Sequence, residues 1–111
     1  MTLRPPRASS SSTTSRAAAL DYEIAQEQAS ALGRMGRALE RALAALAEYE
    51  RRHGERGAAR TRLVQEAGDA LWCFIVQREA CGLRDARLIM REYGVPAEVR
   101  NRMGAFGARS R

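Results

Sequence analysis

The chain has 111 residues, of which 45% are hydrophobic, and a formal net charge of +6. This length predicts one domain with a modest core. All 19 basic residues are arginine, and the net charge is +3 over residues 1–16, +1 over 17–104 and +2 over 105–111. Because the excess lies at the two ends, composition does not favour a general nucleic-acid groove, although it leaves nucleic-acid binding possible.

The cysteine count and the hydropathy exclude several classes of protein. Cys73 and Cys81 are eight residues apart, which on one helix is about 12 Å and too far for a disulfide. They are predicted to be buried free thiols in a reducing compartment. A metal site would need further His or Cys ligands, because the two cysteines have only one histidine, His53, to join them. No apolar run approaches the about 20 residues of a membrane span, so a cytoplasmic protein is predicted.

Residues 1–16 contain two prolines and a Ser/Thr run, and are predicted to be a disordered tail. A long helix is predicted from about Leu20 to Arg52, with Asp21 as its N-cap. Its apolar seam recurs every 3.5 residues on average, which is typical of packing against a neighbouring helix. The seam consists of Ala25, Gln28, Leu32, Met35, Leu39, Ala42, Leu46 and Tyr49.

The segment His53 to Gly57 contains two glycines and predicts a turn. A second helix should run from about Ala59 to Cys81. Within it, residues 70–76 are seven apolar residues in succession. A buried strand would also fit this band, but its flanks favour a helix and no other strand is predicted to pair with it. A helix that is apolar on every face has to be covered all round.

An antiparallel hairpin of these two helices would place Trp72 and Phe74 against the thin part of the first helix, at Gly33 and Gly36. The first helix, about 50 Å long, would extend past the second, about 35 Å long. A homodimer with a four-helix core would cover both the overhang and the apolar band. The predicted interface residues are Leu20, Ile24, Leu71, Trp72, Phe74 and Ile75.

Residues 85–104 have the outline of a degenerate helix-turn-helix. Asp85 is the predicted cap of a short helix that ends near Tyr93, and Pro96 suits the first turn of another. In that second helix, Arg100, Asn101 and Arg102 could reach base edges in the major groove. Met90 occupies a position where helix-turn-helix proteins favour alanine, which lets the two helices pack closely. Val99, the apolar residue of the second helix, lies one residue earlier than in the usual helix-turn-helix pattern. Two short helices that only cap the hairpin are therefore favoured, and residues 105–111 are predicted to be frayed.

No arrangement typical of catalysis is present in the sequence. His53 lies in a glycine- and arginine-rich turn, where contact with helix-end carbonyls is expected. Glu66 and Asp69 are one turn apart, but Arg62 and Arg78 on the same helix favour a salt-bridged face. The prediction is that the chain is not an enzyme and has no catalytic, cofactor or metal site.

The segments LVQEAGDALWCFIVQREACGLRD and YGVPAEVRNRMG, with the first helix, resemble a small family of uncharacterised bacterial proteins. The resemblance covers roughly Asp21 to Gly104 and implies a helical domain without an assigned activity. The sequence therefore predicts an all-α domain over 17–104 that self-associates and binds an unidentified protein. DNA binding through residues 85–104 is the alternative, and a small-molecule pocket beside Trp72 comes third.

Overall fold

The computed structural model describes the backbone of residues 5–109 and the side chains of residues 13–103. Within that range the chain forms four α-helices and no strand: α1 (Pro5–His53), α2 (Ala58–Ala80), α3 (Ala86–Glu92) and α4 (Ala97–Arg109). The predicted all-α class is confirmed. The chain divides into two compact units at residues 31 and 32, which are described separately below.

The predicted start of the first helix is wrong. The helix α1 begins at Pro5, so Asp21 lies in its interior and caps nothing. Residues 5–16, expected to be a disordered tail, are helical. Proline is tolerated in the first turn of a helix. Each residue that extends an existing helix forms one further hydrogen bond, and no new nucleation is required. The helix α4 likewise continues to Arg109 through residues expected to be frayed.

The predicted turn between the first two helices is present. The amide of Gly54 donates to the carbonyl of Glu50 at 2.9 Å, which ends α1. Gly54 has a φ of 82° and Gly57, which precedes α2, a φ of 113°. Because side chains with a Cβ rarely adopt this region, these two glycines fix the position of the turn.

The core of the second unit (residues 32–111) draws on all four helices. Its side chains come from the C-terminal half of α1, the inner face of α2, α3 with the loop after it, and α4. The buried set is Leu39, Leu46, Val64, Ala67, Leu71, Phe74, Ile75, Ile89, Val95 and Val99. The two short helices are therefore part of the packed core.

The helices α2 and α4 approach closely at Gly68. A Cβ on Gly68 would lie 3.3 Å from the Cβ of Arg102 and 3.3 Å from the backbone nitrogen of Met103. On α4, Val99 is fully buried. Gly68 was not singled out in the sequence, since its partners are more than 30 residues away along the chain.

A second close approach is at Gly36 on α1. A Cβ there would lie 2.9 Å from the hydroxyl of Tyr93 and 3.4 Å from Cζ of Phe74. The two rings meet edge to face with centroids 5.5 Å apart. The expected contact of Phe74 with the thin part of α1 is thus seen at Gly36. Trp72 is 40% exposed, and its atoms are not among those nearest to Gly33 or Gly36.

Candidate interaction surfaces

The structure separates the six predicted interface residues into two groups. Leu71, Phe74 and Ile75 are at most 7% exposed, within the core of their own chain. Their assignment to an interface is wrong, because the two C-terminal helices already help to cover the inner face of α2. Leu20, Ile24 and Trp72 are 56%, 49% and 40% exposed. These three stay accessible to a partner.

The longest exposed stretch is on α1. Every side chain from Thr13 to Ser30 is exposed, and we call these residues the α1 exposed segment. Three large hydrophobic side chains lie within it, namely Leu20, Tyr22 and Ile24. Leu20 and Ile24 are one helical turn apart and share a face. The described side chains of the first unit (residues 1–31) thus form an amphipathic helix whose apolar face is open.

The outer face of α2 has a smaller exposed apolar area. Trp72, Cys73 and Val76 lie on the side of the helix opposite the core, and we call them the α2 outer patch. The prediction that Cys73 is buried is wrong. The apolar band is therefore covered on only one side, since α4 and α1 pack on the other.

The helix-turn-helix candidate places its residues in different surroundings. Arg100 and Asn101 are exposed on α4. The aliphatic part of Arg102 instead packs at Gly68, where Cβ and Cγ come within 3.3 Å of a Cβ built on that glycine. Val99 is the fully buried contact of the helix. The side of α4 that carries Arg102 therefore lies against α2, and two of the three predicted DNA-reading residues stay accessible.

Arg60 is the centre of an ionic network that sequence reasoning missed. Its Nε donates to Glu50 at 2.8 Å, and its Nη1 and Nη2 donate to the two carboxylate oxygens of Glu98 at 3.0 and 2.7 Å. These hydrogen bonds raise the pKa of Arg60 and hold the pKa of Glu98 below its ordinary value. The network joins the end of α1, the start of α2 and the start of α4.

Asp85 has a different role from the one predicted. It stands at the N-cap position of α3 but makes no capping hydrogen bond with its side chain. Its carboxylate instead accepts two hydrogen bonds from Arg78, at 2.9 and 2.5 Å. These bonds lower the pKa of Asp85. Arg78 also lies 5.4 Å from the centre of the Phe74 ring, so the pair fastens the loop before α3 to α2.

Comparison with protein-family models gives a match to the chain. Residues 9–111 match the model of DUF6665, a family of unknown function. The chain belongs to this family. The match begins in the N-terminal part of α1, so the family pattern includes the α1 exposed segment. The predicted resemblance to an uncharacterised helical family is confirmed and is longer than expected. No curated protein and no solved structure matches the chain.

The candidate residues for catalysis or metal binding do not come together in one site. His53 is exposed at the end of α1, with its ring centroid 4.6 Å from that of Tyr49. Asp69 accepts a hydrogen bond from Gln65 at 2.8 Å, while Glu66 is exposed. Among the described residues, no three His, Cys, Asp or Glu side chains are grouped as metal ligands. In that same part of the chain, no helix is long and apolar enough to cross a membrane.

Proposed function

We propose that this DUF6665 member is a non-enzymatic helical interaction module that associates with a second copy of itself and binds another protein. The observation that carries the proposal is the α1 exposed segment. Its 18 described residues are all exposed, and Leu20 and Ile24 lie on one face. The remainder of the described chain has its own core, so a partner is needed by this segment and not by the fold as a whole.

The physical reason is that a single exposed helix is marginally stable in water. Helices shorter than about 12 to 15 residues do not persist alone, and longer ones gain most of their stability from packing of an apolar face. Complete burial of a leucine or isoleucine side chain contributes about 1.5 to 3 kcal/mol. Covering the open halves of Leu20 and Ile24 therefore favours both the helical state and association.

The α2 outer patch supports the binding of a different protein. Tryptophan is enriched among the residues that contribute most to the binding free energy of protein interfaces. Val76 extends the apolar area around Trp72 by one turn. Three carboxylates, Glu66, Asp69 and Glu79, flank the patch at helical spacing, with Arg62 one turn before Glu66, so the flank is acidic on balance. The partner that fits is a protein segment with an apolar side and a basic rim, because that charge complements the acidic flank.

Light scattering after gel filtration tests the self-association. The intact chain should elute as a dimer with twice the chain mass of 12.3 kDa. The double variant Leu20→Ala/Ile24→Ala should be monomeric with unchanged helix content, since alanine is a strong helix former. The matched control, Val76→Ala, removes an exposed apolar side chain from α2 and should stay dimeric. An intact chain that elutes at 12.3 kDa throughout the micromolar range would contradict the proposal.

DNA binding through α4 is the second candidate, supported by the exposure of Arg100 and Asn101. Fluorescence anisotropy with a random duplex tests it. Binding through phosphate contacts should weaken steeply between about 50 and 200 mM salt. It should also fall in Arg100→Ala/Asn101→Ala, whereas Arg84→Ala in the loop before α3 serves as the control. Equal binding by both variants would exclude α4 as the reading helix.

A further inference from the structure

The face that carries Leu20 and Ile24 continues over four turns of α1. At about 100° per residue, the positions on this face are Ala17, Leu20, Ile24, Glu27 and Ala31, which we call the α1 seam. The seam has its two large apolar residues near the middle, with a small residue at each end. A partner helix must therefore place apolar side chains over Leu20 and Ile24 and must accommodate Glu27.

We propose that the α1 exposed segment pairs antiparallel with the same segment of a second copy, with Leu20 facing Ile24 of the partner subunit. The inference rests on the proposed self-association and defines its surface and register. In this register Glu27 faces Ala17 of the partner subunit, so the carboxylate lies beside a small side chain near the rim of the pair. The two-fold axis passes near residue 22, and each copy contributes the same patch, as an isologous interface requires.

The seam distinguishes the antiparallel pair from a parallel one. In a parallel, in-register pair, Glu27 would face Glu27 of the partner subunit, and two like charges would lie together in the seam. The antiparallel pair separates these two carboxylates by about ten residues along the helix, or about 15 Å.

The charges beside the seam fit the same register. Arg16 and Glu23 lie on one side of the seam, two turns apart, and both side chains are exposed. In the antiparallel pair, Arg16 lies beside the partner's Glu23, and the symmetry gives this ion pair twice. On the other side of the seam, Asp21 can accept a hydrogen bond from Gln28 of the partner subunit. Each flank thus contains one pair that is complementary in charge or in hydrogen bonding, while Asp21 and Glu23 also lie near their own copies across the two-fold axis.

A charge swap tests the register by sedimentation equilibrium of the full chain. Arg16→Glu and Glu23→Arg should each weaken the dimer about tenfold, because two exposed ion pairs become two repulsive ones. The double variant should regain the original dissociation constant. In a parallel pair Arg16 would lie beside Asp21 of the partner subunit, so the double variant would stay weak. The control, Glu55→Arg/Arg84→Glu, makes the same charge changes in two loops and should leave the constant unchanged.

Spin-label distances provide a second test that does not depend on affinity. Labels are placed at Tyr22→Cys or Thr14→Cys, with Cys73→Ser and Cys81→Ala removing the native thiols. An antiparallel pair places the two Tyr22 positions at the same height, on its two outer sides, and holds the two Thr14 positions about 24 Å apart along the axis. Equally short distances at both positions would overturn the register while leaving self-association intact. A monomeric chain would overturn both the register and the self-association.

Discussion

The two halves of α1 have the same kind of apolar pattern and different surroundings. In the C-terminal half, Leu39 and Leu46 are 0% and 3% exposed. In the N-terminal half, Leu20 and Ile24 on the same helix are 56% and 49% exposed. The periodicity of apolar residues predicts a helix and identifies the apolar face that should be buried by packing. Whether that face is covered within one chain depends on what packs against it, and periodicity alone does not contain that information.

The largest difference between the two halves should come from truncating one leucine in each. Leu39→Ala leaves a cavity in the core, and such substitutions cost about 2 to 5 kcal/mol of unfolding free energy. Leu20→Ala removes a side chain that is more than half exposed, so its cost at a concentration where the chain is monomeric should be within about 0.5 kcal/mol. Urea unfolding of the two variants and the original chain at low micromolar concentration measures both values.

A Leu20→Ala cost close to that of Leu39→Ala would break this comparison. It would mean that the α1 exposed segment is packed against the same chain. If the cost of Leu20→Ala instead grows as the protein concentration is raised, the leucine is buried by association, as proposed.

A smaller difference is expected between the two glycines of α1. Gly36→Leu inserts a side chain where a Cβ already comes within 2.9 Å of the Tyr93 hydroxyl, and overpacking of this kind costs about 1 to 3 kcal/mol. The atoms nearest to a Cβ on Gly33 belong to the flexible guanidinium of Arg37, at 3.3 Å. Gly33→Ala should therefore stabilise the helix by about 0.5 to 1 kcal/mol. Thermal unfolding should show opposite shifts in Tm, and a shift of the same sign for both would contradict the assigned contacts.

Local sequence signals predicted the elements of this fold well. The glycine-containing turn after His53 and the end of α2 near Gly82 follow from residues whose effect is confined to a few neighbours. The N-terminal boundary failed for a physical reason. Asp21 is a good capping residue, but Ala17 to Ala19 just before it propagate a helix readily, and a cap is needed only where a helix ends.

Contacts between residues far apart in sequence could not be predicted. Gly68 looks like an unfavourable residue within α2 until Arg102 is placed against it. The pairing of Arg60 with Glu98 spans 38 residues, and every helix of this chain offers at least two arginines and at least one carboxylate. Predicting which of them meet requires the packing of α4 on α2. Only the apolar band and Val99 indicated that packing in the sequence.

The smallest predicted effect is a change in acid sensitivity at the α4 end of the Arg60 network. The hydrogen bonds from Arg60 hold the pKa of Glu98 below its ordinary value of 4.5. The charged form is therefore favoured by folding, and its contribution is present above pH 4.5 and is lost as the pH falls through the lower folded pKa. Glu98→Gln should reduce stability at neutral pH and converge with the original chain in acid. The effect is small because Glu98 is half exposed and Arg60 keeps Glu50 as a partner.

Urea unfolding between about pH 7 and 3 measures the convergence, with Glu66→Gln, at an exposed carboxylate of α2, as the control. A constant difference between Glu98→Gln and the original chain across that range would show that the charge of Glu98 does not link α4 to α2.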